Sequence, residues 1–426
     1  MNSKLRGLII GLLLILLVTV AVSQQPTASN LPQKAASQDL QIDIAKKTVV
    51  FFDTRYIENA KISGWSGTGF FVQVPDSRIP GRGVTWLVTN KHMLHPPDRA
   101  FFDKVSVRVN RKNPSPDGTY VSEITLDVTD PAGYQLWLTD PDESVDLALT
   151  VANPSSDIDC DEIPQQIFAN KETFKTQRIN ENDDVLFTGL YASYPGTKRN
   201  FPIVRHGKLA LVTDERIPID KHNPGKTEEL LIAEVTSFGG NSGSPVFVRV
   251  GGIREGGPPM TGYSYYLLGV MQGFFTEGED ILFDITASLH GTASQNSGLA
   301  AVIPAEKIRE ILGSPRAKAI TDGIIANGLL QDGKYPEAEE LYKHALTQIE
   351  SSEGLYHPDL INVLQGYAQL LKRVGRAQEA SKTLTRAQFI LSEANKNPAT
   401  SSPVSITRSC LPADCEKALT SKAAKK

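Results

Sequence analysis

The chain has little cysteine, little histidine and only one unbroken apolar run of any length, and each shortage removes a class of function. Three of its 426 residues are cysteine: Cys160, Cys410 and Cys415. No Cys-x-x-Cys pair and no His/Cys group at ligand spacing occurs, so no metal site is indicated and no cofactor is expected. Cys410 and Cys415 enclose a short loop and could pair in an oxidising compartment, which leaves Cys160 as a single, buried thiol. Charge of one sign is not in excess, with 44 Lys and Arg against 48 Asp and Glu and a net charge of -4. Outside a lysine-rich end at Lys417 to Lys426, read as solvated, there is no basic stripe, so no nucleic-acid partner is expected.

The apolar run is Leu8 to Val22, preceded by Lys4 and Arg6 and followed by Ser23-Gln24-Gln25-Pro26. That order of charged, apolar and polar segments is the order of a secretory signal, and Ala21-Val22-Ser23 offers the small residues a signal peptidase reads. Residues 1–23 are therefore read as a signal peptide cleaved after Ser23. The alternative is an uncleaved anchor, although the run is shorter than the roughly twenty residues a bilayer span needs. Either way the remainder is expected outside the cytoplasm, secreted or periplasmic, with no membrane span once the signal is removed. Residues 24–45, rich in Gln, Ser, Ala and Pro over their first part, read as a flexible spacer.

From 46 to 313 the texture is short apolar runs broken by Gly, Pro, Asn and Asp. Thr48 to Phe52, Gly69 to Val74, Thr85 to Thr89, Val105 to Val109, Asp146 to Thr150 and Val185 to Thr188 read as strands. Many short strands with turn signals between them predict an all-β barrel or sandwich, and this length fits two barrels better than one. Pro304 to Leu312 then carries the 3.6-residue period of a closing helix, and Gly313-Ser314-Pro315 breaks it.

Beyond the break, residues 314–396 are rich in Ala, Leu, Glu, Lys and Gln with apolar positions three and four apart. Gly333-Lys334-Tyr335-Pro336-Glu337-Ala338, with Leu341 and Ala345, aligns with Gly375-Arg376-Ala377-Gln378-Glu379-Ala380, with Leu384 and Ala387, at a period of 42 residues. Each Gly permits a sharp helix-to-helix turn, and the small Ala residues let paired helices approach. These units resemble tetratricopeptide repeats, in the long form found in kinesin light chains, and the resemblance implies a surface for a protein partner. Two such units are few for a self-sufficient stack, so the module is expected to pack on the β region or on another chain. Residues 397–426 read as a tail with a helix over Pro412 to Ala424.

The chemistry centres on Gly240-Asn241-Ser242-Gly243-Ser244-Pro245, a tight turn able to present one hydroxyl and several N–H groups to a single ligand oxygen. A serine hydroxyl needs a base within hydrogen-bond reach and a group to orient that base. Of the seven histidines, His92 alone directly follows an apolar strand, where a rigid element can deliver it to a cleft. Asp146 opens the apolar run Leu147-Ala148-Leu149, a costly place for a carboxylate unless an imidazole N–H meets it.

In the order His, Asp, Ser, the blocks Thr89-Asn90-Lys91-His92, Asp146-Leu147-Ala148-Leu149 and Gly240 to Pro245 resemble the signature blocks of chymotrypsin-like serine peptidases. Asn241-Ser242-Gly243 is similar to the bacterial trypsin-like and HtrA-type version of the serine loop. Tyr266 to Gly273 resembles the strand beside the substrate backbone, and Gly298 to Pro304 the last strand before the closing helix. The resemblance implies a double β-barrel in which Ser242 attacks a peptide carbonyl, His92 carries the proton and Asp146 holds the imidazole. It also implies an oxyanion hole from the N–H groups of Gly240 and Ser242, and a protein or peptide substrate. Asn241 replaces the Asp that pairs with a new N-terminus in digestive trypsins, so activation by cleavage is not expected. No PDZ module follows; helical repeats stand in its place.

Thr236, six residues before the serine, carries no negative charge, so a preference for Lys or Arg is not supported. Gln272, Gly273 and Phe274 are candidate substrate-binding residues, and small or medium apolar side chains are expected at the cleaved bond. Two other classes of function stand beside the peptidase: an inactive protease-like scaffold for binding, and a repeat-based adaptor.

Overall fold

A computed structural model describes residues 38–53, 56–58, 61–63, 66–95, 101–130, 133–219, 225–254, 260–283 and 289–396. The expected signal peptide 1–23, the spacer before residue 38 and the tail 397–426 with Cys410 and Cys415 lie outside the described residues. The spacer expected to run to residue 45 ends earlier, because helix α1 spans Gln38–Thr48. Its last turn is tied down when Thr48 Oγ1 donates to the Ala45 carbonyl at 2.8 Å, and Ala45 is buried.

The first β region holds β1 (Val49–Asp53), β2 (Tyr56–Glu58), β3 (Lys61–Ser63), β4 (Ser66–Pro75), β5 (Gly83–Thr89), β6 (Lys104–Asn110), β7 (Val121–Asp127), β8 (Leu138–Thr139), β9 (Ala148–Ala152) and β10 (Ile163–Pro164). Its main sheet runs β7-β6-β1-β4-β5-β9-β8, with β10 added parallel to β4 and β2 paired with β3 alone. Period-2 alternation sends successive side chains to opposite faces. Val50 and Phe52 of β1 join Phe71, Leu87, Val105, Val107 and Trp137 in a core on one face. Val49 and Phe51 go with Phe70, Val72, Trp86 and Val88 to the other.

Helix α2 (Lys171–Gln177) bridges to the second region, capped when Asn170 Oδ1 accepts the Thr173 N–H at 2.8 Å. The strands here are β11 (Asp184–Gly189), β12 (Ile203–Leu211), β13 (Ile217–Pro218), β14 (Thr227–Glu228), β15 (Leu231–Glu234), β16 (Pro245–Gly252), β17 (Met260–Phe283) and β18 (Leu289–Pro304). They close into a barrel, β11-β12-β15-β18-β17-β16, with β13-β14 as a separate hairpin. Val185, Phe187, Leu209, Val246, Val248, Leu268 and Val302 fill it, whereas Leu186 and Phe247 face the shared outer core. The expected pair of barrels is thus two barrel-like sheets: the second closes and the first is half of a barrel, open at β7 and β8 among the described residues. Strands β17 and β18 run on past the barrel as a paired ribbon, from Thr276↔Asn296 to Phe283↔Leu289, where the sequence reading foresaw only Tyr266 to Gly273 and Gly298 to Pro304.

Helix α3 (Ala305–Leu312) closes the β region, and α4 (Pro315–Gln331), α5 (Tyr335–Ser352), α6 (Leu360–Arg373) and α7 (Ala377–Lys396) follow as two hairpins. Ser314 caps α4 by accepting the Ala317 N–H, with Pro315 in the first turn. The module does pack on the β region, as its small number of units requires. One apolar cluster runs from Val84 and Trp86 of β5 through Ile308 and Ile311 to Ala326, Leu329, Tyr342 and Leu371. Polar ties border it: Arg78 reaches Asp322, Arg82 reaches Asp332, and Arg316 donates to the Gln135 carbonyl at 2.8 Å.

Candidate active site

The apolar strand β5 ends at Thr89, and the chain turns into a short 3-10 segment, Lys91–Met93, that carries His92. Asn90 is fully buried and anchors this turn by donating from Nδ2 to the Asp146 carbonyl at 2.9 Å, where the Lys91 N–H also donates at 3.2 Å. The Asp146 carboxylate in turn takes two bonds from His92, the backbone N–H on Oδ1 at 2.8 Å and ring Nδ1 on Oδ2 at 2.5 Å. A carboxylate on Nδ1 fixes both the plane of the ring and the tautomer, with the basic lone pair on Nε2. Burial pushes the His92 imidazole down, but the charge of Asp146 and its hydrogen bond outweigh burial and the pKa is raised above its usual 6.5. The expected pairing of His92 with Asp146 is therefore what the fold builds, with Asn90 as an anchor the sequence reading passed over.

The serine loop is held by hydrogen bonds that leave alternate peptides clamped. Thr68 donates from Oγ1 to the Gly240 carbonyl at 2.9 Å, and from its N–H to the Ser242 carbonyl at 2.8 Å. At the other ends of those two peptides, Asn241 N–H donates to Phe238 O at 3.1 Å and Gly243 N–H to Met271 O at 2.8 Å. Ser244 N–H donates to the Asn241 carbonyl at 3.0 Å. The N–H groups of Gly240 and Ser242 have no acceptor among the described residues, which is the state an oxyanion site requires of its donors. Gly240 at φ 96 and Gly243 at φ 82 adopt the left-handed conformation that makes this alternation possible. A Cβ on Gly243 would also meet the Thr68 carbonyl at 1.9 Å, so only glycine fits there.

Asn241 is 1 % exposed, and its side chain donates from Nδ2 to the Leu190 carbonyl at 2.8 Å while Oδ1 accepts the Phe238 N–H at 2.9 Å. It ties the loop to the end of β11. Thr68 completes that tie by accepting the Leu190 N–H on Oγ1 at 2.9 Å, and its own carbonyl receives Thr89 Oγ1 at 2.8 Å. Thr68 thus joins the strand that delivers His92 to the loop that carries Ser242. Gly67 beside it lies between the two: a Cβ there would stand 2.6 Å from Met93 Sδ and 3.2 Å from the Ser242 carbonyl. The Gly67-Thr68-Gly69 triplet was the signal available in the sequence for this role.

Of the candidate substrate-binding residues, Gln272 lies against the serine, whose hydroxyl donates to the Gln272 carbonyl at 3.0 Å. Gly273 and Phe274 follow on β17, paired with Ala301 and Ala300, with irregular register on either side of them. Phe274 is exposed, whereas Phe275 packs against the shared core. Thr236 is exposed at the start of the loop segment, beside the buried Ser237. Cys160 is half-buried rather than buried, and burial pushes its thiol up to about 11, so it is held as an unreactive thiol. Among the described residues no group of His, Cys, Asp and Glu could hold a metal ion, and no helix is long and apolar enough to cross a membrane.

Residues 318–388 match the tetratricopeptide repeat family. That span begins in α4 and ends in α7, so the two helical hairpins are similar to such repeats over most of their length. No peptidase family matches the chain, and no curated protein does.

Proposed function

We propose that the chain is an exported serine endopeptidase whose helical repeats dock a protein partner or substrate. The observation that carries this reading is the two-bond clamp of Asp146 on His92, joined through Thr68 to a loop that carries Ser242 and two N–H groups without an acceptor among the described residues. In that reaction Ser242 Oγ attacks the peptide carbonyl carbon as His92 Nε2 takes its proton. The oxygen that becomes negative is received by the N–H groups of Gly240 and Ser242, each such donor being worth about 3 kcal/mol in the transition state. His92 then gives the proton to the leaving amine, and water repeats the sequence on the acyl-enzyme to free Ser242. Asp146 keeps the tautomer and stabilises the imidazolium throughout.

The signal-like start of the sequence supports export, with cleavage after Ser23, and the match over 318–388 supports protein docking. Small or medium apolar side chains are the proposed preference at the cleaved bond. A second reading, a protease-like scaffold that only binds, is favoured by the commitment of the Ser242 hydroxyl to the Gln272 carbonyl. A hydroxyl rotates about its Cβ–Oγ bond and can exchange that acceptor for an imidazole when substrate arrives. Casein turnover and labelling by a fluorophosphonate separate the two readings. The peptidase gives both with the wild type and neither with Ser242→Ala, while equal behaviour of the two proteins sinks it. A mixed peptide library then reads the preference.

A further inference from the structure

We propose that Asn296 is a positioning residue for this serine chemistry, acting through Asn241 to hold the loop whose N–H groups receive the reacting oxygen. The inference rests on the reading of Ser242 as the nucleophile. Asn296 lies on β18 where the β17-β18 ribbon meets the barrel. Thr276↔Asn296 is the first pair of the ribbon, whereas Ala300 and Ala301 are inside the barrel, paired with Phe274 and Gly273 on one side and with Ala233 and Ile232 on the other. Strands β15 and β18 part after Glu234↔Leu299. The Val235 N–H still donates to the Gly298 carbonyl at 2.8 Å, and the chain runs on from there to the serine loop.

The 296–298 turn is locked from within. Gly298 donates its N–H to Asn296 Oδ1 at 2.9 Å, and Ser297 Oγ donates to the Phe275 carbonyl at 2.8 Å while accepting the Leu299 N–H at 3.2 Å. With Oδ1 engaged on its own turn, the Asn296 amide has Nδ2 to give, and Nδ2 donates to the Ser237 carbonyl at 2.5 Å. Two asparagines thereby hold one peptide at both ends. The C=O and N–H of a trans peptide point in opposite directions, and the 237–238 peptide gives its oxygen to Asn296 and its N–H to Asn241 Oδ1 at 2.9 Å.

Ser237 is 1 % exposed, so its carbonyl without Asn296 is a buried acceptor left unsatisfied. A rotation that carries this oxygen to another donor takes the Phe238 N–H off Asn241. Asn241 stands between Gly240 and Ser242 and is also the tie to the Leu190 carbonyl. Once it is loosened, the N–H groups on either side of it lose their fixed aim, and oxyanion donors act by being aimed before the charge forms. None of these bonds involves the Ser242 hydroxyl, His92 or Asp146. The proton path is therefore untouched, and the effect falls on the donors alone.

The test is the concentration dependence of fluorophosphonate labelling of the full chain from pH 6 to 9, below the melting temperature of each protein. Asn296→Asp keeps the shape and the acceptor for the Gly298 N–H but sets a second oxygen against the Ser237 carbonyl, and Asn296→Ala removes both bonds. The maximal labelling rate is expected to fall about tenfold in the aspartate variant and at least about threefold in the alanine variant. The half-saturating concentration is expected to stay within about twofold of wild type, and the pH profile to keep its shape. Because two residues that act through one peptide are not additive, Asn241→Ala/Asn296→Ala is expected to label within about twofold of Asn241→Ala alone. A folded aspartate variant that labels like wild type overturns the proposal. So does a loss seen only in the half-saturating concentration, which would make Asn296 a substrate contact, and so does a loss that multiplies with that of Asn241→Ala. If the aspartate variant does not fold, the alanine variant is read by the same three outcomes. A wild type that does not label at all overturns the serine reading and the positioning role with it, whereas a labelled wild type indifferent to both substitutions overturns the positioning role alone.

Discussion

Thr68 and Gly240 stand 172 residues apart in sequence, yet the hydroxyl of one donates to the carbonyl of the other at 2.9 Å. Through that bond β4 of the half-barrel dictates which way a peptide of the serine loop faces. The same threonine holds the Ser242 carbonyl, so the 240–241 and 242–243 peptides are both clamped, while the N–H groups of Gly240 and Ser242 have no acceptor among the described residues.

Thr68→Val keeps the shape of the side chain and deletes its hydroxyl. The Gly240 carbonyl and the Leu190 N–H, both buried, lose their partner, at a cost of about 2–4 kcal/mol for two unsatisfied groups. Thr68→Ser retains both bonds and is expected to lose far less. Thermal unfolding measures the difference, and Ser242 labelling is expected to fall in the valine variant beyond what its lower stability explains at a temperature where it is folded. A valine variant as stable and as reactive as wild type contradicts the clamp.

Strand existence was legible because Val49 to Phe52, Thr85 to Thr89 and Val185 to Thr188 are short, β-branched and aromatic apolar runs set between turn residues. His92 and Asp146 were legible from their places at strand ends. What sequence alone did not disclose depends on contacts between distant segments. Asn90 and Thr68 act through backbone carbonyls of residues far along the chain, and a carbonyl has no letter in the sequence. Asn296 reads as one polar residue in the run Gln295 to Gly298; its bond to the Ser237 carbonyl follows from β15 and β18 parting beside it. The ribbon of β17 and β18 was missed for another reason: Thr276 to Asp280 lacks an apolar period, and only the pairing with Thr292 to Asn296 makes it strand.

Asn241→Asp is the smallest change that tests the serine loop from its other side. It keeps an oxygen for the Phe238 N–H but replaces the donor to the Leu190 carbonyl with a second oxygen, in a position 1 % exposed. A buried carboxylate facing a carbonyl is driven toward its neutral form, so its folded pKa lies above the unfolded value. Stability relative to wild type is then expected to fall as pH rises from about 4 toward 7, by about 2–3 kcal/mol at neutrality. Parallel melting curves for the two proteins across that range exclude this account.

His92 supplies the pH dependence proper to the triad. Its pKa is raised by Asp146 against the effect of burial, so the base form is populated only as pH climbs above the usual 6.5. The same shift contributes stability that is present below 6.5 and lost as pH rises through the folded value. The acid limb of kcat/KM is expected above 6.5. Asp146→Asn is expected to move that limb downward and to lower kcat by about 10⁴-fold through loss of the correct tautomer. An unmoved limb in the Asp146→Asn protein removes Asp146 from the role given to it.

The repeat module and the β region should unfold together, because their contact is an apolar core bordered by charge rather than a linker. Asp322 on α4 is 2 % exposed, and its carboxylate receives Arg78 from the turn after β4 and His344 Nδ1 from α5 at 2.5 Å. Arg78 also donates to Asp76 Oδ2 at 2.6 Å, so one guanidinium joins the two parts of the chain. Arg78→Met leaves Asp322 with His344 alone. Because the guanidinium side chain is nearly half exposed, the expected loss is about 1–2 kcal/mol rather than the full cost of breaking a buried pair. Calorimetry of the wild type is expected to give one transition for both parts. A chain ending at Ser314 uncovers Val84 and its neighbours and is expected to aggregate at concentrations where the full chain stays in solution. Two separable transitions, with a soluble truncated chain, would show that the repeats only sit beside the β region and stabilise nothing in it.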